Sequence, residues 1–101
     1  MGSRPNLQTM LEELLGSHNV YYNPPESVVM KYPAIVYSRG GLDNVHANDS
    51  VYNQYNAYEI TVIDKNPDSE IVKKVSKLPK CKWNQHFKSD NLNHDVFTLY
   101  Y

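Results

Sequence analysis

Residues 52–64 carry the feature that most limits the fold: Tyr58, Ile60 and Val62 alternate there with Glu59, Thr61 and Ile63. Successive side chains of an extended strand point to opposite faces. One face of this segment is therefore wholly apolar and the other mixed, so the segment needs a sheet with one covered side. The cover has to come from the rest of a 101-residue chain, a length that supports one core and starves a second. A single domain over residues 1–101 is expected.

Two segments have the pattern of a cover. Leu7, Leu11, Leu14 and Leu15 recur at helical spacing with Met10 beside them, and Gly16 follows where a left-handed cap is usual. The spacing predicts an amphipathic helix over 4–15, capped by Ser3 or Asn6, with Glu12 and Glu13 off the leucine stripe. Further on, Asn66-Pro67-Asp68-Ser69-Glu70 reads as a helix start: Asn66 caps, Pro67 suits the first turn, and the acids meet the positive end of the dipole. Ile71, Val72, Val75 and Leu78 form the stripe of that helix, and Pro79 stops it.

The remaining apolar runs are short. Residues 20–22 read as a brief strand, after which Asn23-Pro24-Pro25 denies the backbone both helix and a central ladder position. Pro33 opens a strand at 34–37, ended by Arg39-Gly40-Gly41, whose glycines permit positive φ. Residues 40–50 are polar and rich in Asn and Asp, which favours an exposed loop. Cys81, Trp83 and Phe87 alternate with Lys82, Asn84 and His86, and residues 96–101 are again apolar; these predict a hairpin joined through the polar stretch 88–94. The order implies an α+β fold with two helices packed on one face of a mostly antiparallel sheet of about four or five strands.

Composition narrows the function. Lys and Arg total 10 against 11 Asp and Glu, with no long run of either sign, so charge alone argues against tight nucleic-acid binding. One cysteine, Cys81, leaves no intramolecular disulfide and suits a reducing compartment. The opening residues lack the unbroken apolar stretch of a signal peptide, no window approaches a membrane span, and Asn6 stands where a myristoylation pattern wants Ser or Thr. A protein used in the cytoplasm is expected. Nine tyrosines stand among the 41% hydrophobic residues, either as good strand residues or as the amphipathic surface of an interface.

Enzyme chemistry finds little support in the pattern. His18, His46, His86 and His94 are scattered, with no pair at ligand spacing on one helix and no Cys companion. His94-Asp95 is the most suggestive pair, but neighbours on a strand point to opposite faces. Serines 50, 69 and 76 lack a nucleophile elbow, and Gly40-Gly41 falls short of a phosphate loop. No catalytic, metal or cofactor residues are expected. Residues 23–32 and 40–50, by contrast, are long for turns in so small a domain, and long loops in compact domains tend to be functional.

Several segments resemble a family of small morphogenesis proteins of long-tailed bacteriophages and prophages of Gram-positive bacteria. They are Tyr22-Asn23-Pro24-Pro25-Glu26-Ser27-Val28-Val29-Met30-Lys31-Tyr32-Pro33, then Ile35-Val36-Tyr37-Ser38-Arg39-Gly40-Gly41 with His46-Ala47-Asn48. Val62-Ile63-Asp64, Asn66-Pro67-Asp68-Ser69 and Asp90-Asn91-Leu92-Asn93-His94-Asp95-Val96-Phe97 complete them, so that the likeness covers residues 21–101. The family is similar to the tail-terminator, or tail-completion, class of head-to-tail joining proteins.

The resemblance implies a virion part, assembled in the bacterial host's cytoplasm, that forms a hexameric ring with copies of itself on the head-proximal end of the tail tube. Its implied partners are the major tail tube protein and the head connector or head-closure protein. DNA would pass through the lumen without specific binding, and neither membrane nor cofactor is implied. Loop length and the resemblance together select Asn23, Pro24, Pro25, Met30, Tyr32, Arg39, Asp43, His46 and Asn48 as subunit or partner contacts. The closing hairpin, with Trp83 and Phe87, reads as fold rather than contact. Rival readings are a head-closure or connector component, a small metal-dependent nuclease using His94, Asp95 and Asp90, and a cytoplasmic adaptor.

Overall fold

The computed structural model describes residues 4–25, 27–47 and 50–101, with side chains at 6–25, 27–40 and 57–101. Helix α1 spans Arg4–Leu15, as its leucine spacing predicts. Leu7 and Leu11 are fully buried and Leu15 nearly so, one stripe on one face. Gly16 ends the helix at φ 81°, its N–H donating to Glu12 O at 2.8 Å. Asn6 lies inside this helix and so does not cap it, while Ser3 lies outside the described residues.

Helix α2 starts later than its sequence suggests, at Glu70–Ser76, and its cap is Ser69 rather than Asn66. Ser69 Oγ accepts the N–H of Ile71 at 3.2 Å. Asn66 is engaged in a turn of its own: its side chain accepts Asp68 N–H at 2.9 Å while Asp64 accepts Asn66 N–H at 3.0 Å. Both residues thus serve the backbone, but three positions apart. Past the helix, Lys80 takes φ 59° and redirects the chain into the next strand.

The strands are β1 (Val20–Tyr22), β2 (Ala34–Ala47), β3 (Ser50–Asp64), β4 (Cys81–Ser89) and β5 (Leu92–Tyr100). They form one sheet in the order β1-β2-β3-β5-β4. β1 runs parallel to β2 and the other pairings are antiparallel. The α+β architecture of two helices on a mostly antiparallel sheet is the one expected. Ile35 and Tyr37 of β2, Tyr58, Ile60 and Val62 of β3, and Phe97 and Leu99 of β5 meet the α1 leucines and Val75 of α2 in one core. Met10, Leu14, Ile71, Val72 and Leu78 close its margin.

Two connections differ from the sequence expectation. Residues 40–47 and 50 are strand and not loop, with 48 and 49 outside the described residues: β2 continues to Ala47 against β3, with pairs running from Gly41↔Ala57 to Ala47↔Ser50. The ladder satisfies the inward-facing half of each strand's backbone groups, and the outward half can bond to water, so this polar stretch can stay extended without apolar cover. Likewise 88–94 is mostly strand, and the β4–β5 turn consists of Asp90 and Asn91 at φ 55° and 63°. Positive φ at both central residues is what the tightest hairpin turn requires, and Asp and Asn tolerate it.

Candidate functional site

The pairing pattern sets an arm on the body. β1 pairs with β2 only from Ile35 to Tyr37, and β5 follows β3 no further than Ala57↔Tyr100. Beyond the Gly41↔Ala57 row, the two longest strands therefore pair only with each other among the described residues. At ~3.3 Å per residue, the seven rows from Gly41 to Ala47 make a ribbon roughly 20 Å long. The molecule accordingly measures 47 × 23 × 22 Å.

At the root of the arm the ladder slips one place between Arg39 and Gly41. A Cβ on Gly40 would stand 3.3 Å from the carbonyl oxygen of Ala57. Gly40 is thus kept for close backbone approach at a bulge, not for the left-handed turn that the glycine pair suggested.

Residues 23–33 behave differently, being tied back to the body. Asn23, at φ 44°, donates its N–H to Tyr37 O at 2.8 Å, and Val28 N–H closes a turn on Pro25 O at 3.1 Å. Lys31 N–H donates to the Tyr21 hydroxyl at 3.3 Å, and Asn19 Nδ2 donates to Pro33 O at 3.4 Å. The Tyr32–Pro33 peptide is cis. Of the selected contacts, Asn23, Pro25 and Arg39 are exposed, whereas Pro24, Met30 and Tyr32 are half-buried. The side chains of Asp43 and His46, and all of Asn48, lie outside the described residues. Val29, which the sequence reading did not select, is the most outward apolar side chain here at 88% exposure.

A second surface lies at the opposite side of the sheet. β4 is an edge strand, and Trp83 and Phe87 are 52% and 42% exposed. These two aromatics, read from the sequence as fold rather than contact, stand at the rim. Both are held in place. Trp83 Nε1 donates to Asp95 at 3.2 Å, and Phe87 stacks on His94 with centroids 4.6 Å apart. Asp95, nearly buried, also faces His86 Nδ1 at 3.1 Å, directly across the β4–β5 ladder. His94 instead turns its Nδ1 to Leu92 O at 3.1 Å, so the adjacent pair His94 and Asp95 serves two different faces.

The same edge concentrates positive charge. Residues 71–89 contain Lys73, Lys74, Lys77, Lys80, Lys82 and Lys88 and no Asp or Glu. All six are exposed on α2, β4 and the turn between them. Residues 40–64 show the reverse, with Asp43, Asp49, Glu59 and Asp64 and no Lys or Arg. A net charge of −1 conceals this division. A search for unbroken runs misses it as well, because apolar residues separate the lysines. Counting acids per window would have found it.

Among the described residues no group of three or more His, Cys, Asp or Glu side chains is placed to hold a metal ion. A shallow concavity at the end of α1, lined by Thr9, Glu12, Glu13, Gly16, Ser17 and His18, opens widely to solvent. No helix among the described residues is long and apolar enough to cross a membrane. Compared with known proteins, the chain matches no protein-family model and no curated protein. Among the described residues, the arm and the basic edge are the surfaces that stand out from the body.

Proposed function

We propose that this chain is a structural virion protein that assembles into a ring on the head-proximal end of a phage tail tube, ending tube growth and offering the joint to the head. The two-stranded arm carries this reading, because a ribbon extending past the body serves reach and not the core. A ring subunit needs one patch for each neighbour and further faces for tube and head. The arm, the tied-back loop 23–33 and the β4 edge supply separate surfaces for those roles. The resemblance over residues 21–101 supplies the virion setting.

The test is a virion whose only copy of this chain has residues 42–55 replaced by a two-residue turn, examined by electron microscopy. Overlong or unjoined tails are expected. Tails of normal length on full heads would end the proposal, and normal tails below leaking heads would move the chain to the head-closure position.

A further inference from the structure

We infer that the arm of one copy, its paired strands 41–47 and 50–56, docks along the β4 edge of a second copy and extends its sheet, joining copies head to tail. This rests on the self-assembly reading above and specifies which surfaces meet. β4 pairs only with β5, so the outward N–H and C=O groups of Cys81–Ser89 have no strand partner among the described residues. Such an edge is a template for an added strand. The other edge, β1, offers only Val20–Tyr22.

Charge selects the occupant. In sequence, residues 41–56 carry Asp43 and Asp49 and neither Lys nor Arg, while β4 and the turn before it carry Lys80, Lys82 and Lys88 with no acid. A second β4 is a poorer match: in a symmetric antiparallel pair centred on Gln85, Lys82 would lie opposite Lys88, and like charges so placed repel. Nor can the arm fold onto its own β4. Cys81 aligns through Leu99 with Tyr58 at the arm's root, and β4 runs from there toward the Asp64 end, away from the ribbon. Arm and edge are different patches, so each contact leaves one of each open, and copies add until a ring closes.

The experiment uses the full chain with Cys81→Ser, carrying Asn53→Cys on the arm or Gln85→Cys on β4. Mixing the two under mild oxidation should give a mixed disulfide dimer, and a chain with both cysteines a ladder of larger species. Dimers from Gln85→Cys alone would mean that β4 meets β4, and would overturn the inference. In sedimentation velocity, Lys82→Glu with Lys88→Glu should weaken association about tenfold or more, and a partner carrying Asp43→Lys with Asp49→Lys should restore it.

Association that persists through these reversals, without the mixed disulfide, sinks this interface but leaves self-assembly standing. A wild-type chain that remains monomeric, together with no mixed disulfide between the two cysteine variants, sinks both. A 20-nucleotide DNA probe provides the last arm: if the lysine reversals abolish its binding but leave self-association unchanged, the basic edge belongs to nucleic acid and the inference falls.

Discussion

The hydroxyl of Tyr37 donates a hydrogen bond to Oε1 of Gln8, joining the first part of β2 to α1 across 29 residues of sequence. The amide nitrogen of the same Gln8 donates to Val20 O and to Glu12 Oε2, each at 3.1 Å. One side chain thus fastens the helix to the first two strands. Tyr37 is fully buried, its ring tilted against Tyr22 and Tyr58 at centroid distances of 5.0 and 6.0 Å. A buried hydroxyl is tolerated in this core because it has an acceptor.

Tyr37→Phe keeps the ring and removes the donor, leaving the Gln8 oxygen unmatched. The expected loss is about 1–2 kcal/mol, read as a lower urea midpoint with an unchanged slope. An unshifted midpoint would show that water replaces the bond.

Asn91 holds φ 63° at the second central position of the β4–β5 turn. Asn91→Val forces a β-branched residue into the left-handed region and should cost about 1–2 kcal/mol in thermal or urea unfolding. Asn91→Gly, which has no Cβ to strain, should leave stability unchanged or raise it. Equal stability of the Val and Gly variants would contradict the positive φ.

Trp83 and Asp95 provide a spectroscopic check. Asp95→Ala removes the acceptor of the indole N–H and should shift tryptophan emission to longer wavelength as the ring loosens into water. It should also cost about 1–3 kcal/mol, since a satisfied, nearly buried group is replaced. Trp83 is the chain's only tryptophan, so the signal is unambiguous.

Burial pushes the Cys81 thiol above its ordinary pKa. The thiolate is the reactive form, so alkylation of the native protein near pH 8 should be slower than that of the unfolded chain in urea. The linkage sign follows from the raised value: the contribution to stability is full below the unfolded pKa, about 8.5, and fades as pH rises through the folded one. Equal alkylation rates in the two states would rule out the protected thiol.

How far the sequence led depended on the kind of signal. Leu7, Leu11 and Leu15 lie on one stripe with a glycine behind them, and α1 has the expected bounds because side-chain period and cap agree. Tyr58, Ile60 and Val62 were legible for the same reason. Residues 41–47 were not, because polarity does not report conformation: a polar strand can have the composition of a loop. Ser69 and Asn66 are both able caps, and only the surrounding turn decides between them. At the candidate surfaces, loop length drew attention to 23–33 and 40–50, but Trp83, Phe87 and the six lysines of the β4 side went unselected. Alternation marks which residues share a face; it does not say that a strand lies at the rim, which is a property of the strand order.

That order has a mechanical consequence. β3 is the central strand and β2 adjoins it, so the arm is a prolongation of the sheet's interior and not an appendage hung from its border. Tyr58 lies at its root in contact with the residues that seat α1. A sideways load on the tip would act as on a lever whose fulcrum is the hydrophobic interior: gripping the tip would stiffen the body, and softening the body would slacken the grip.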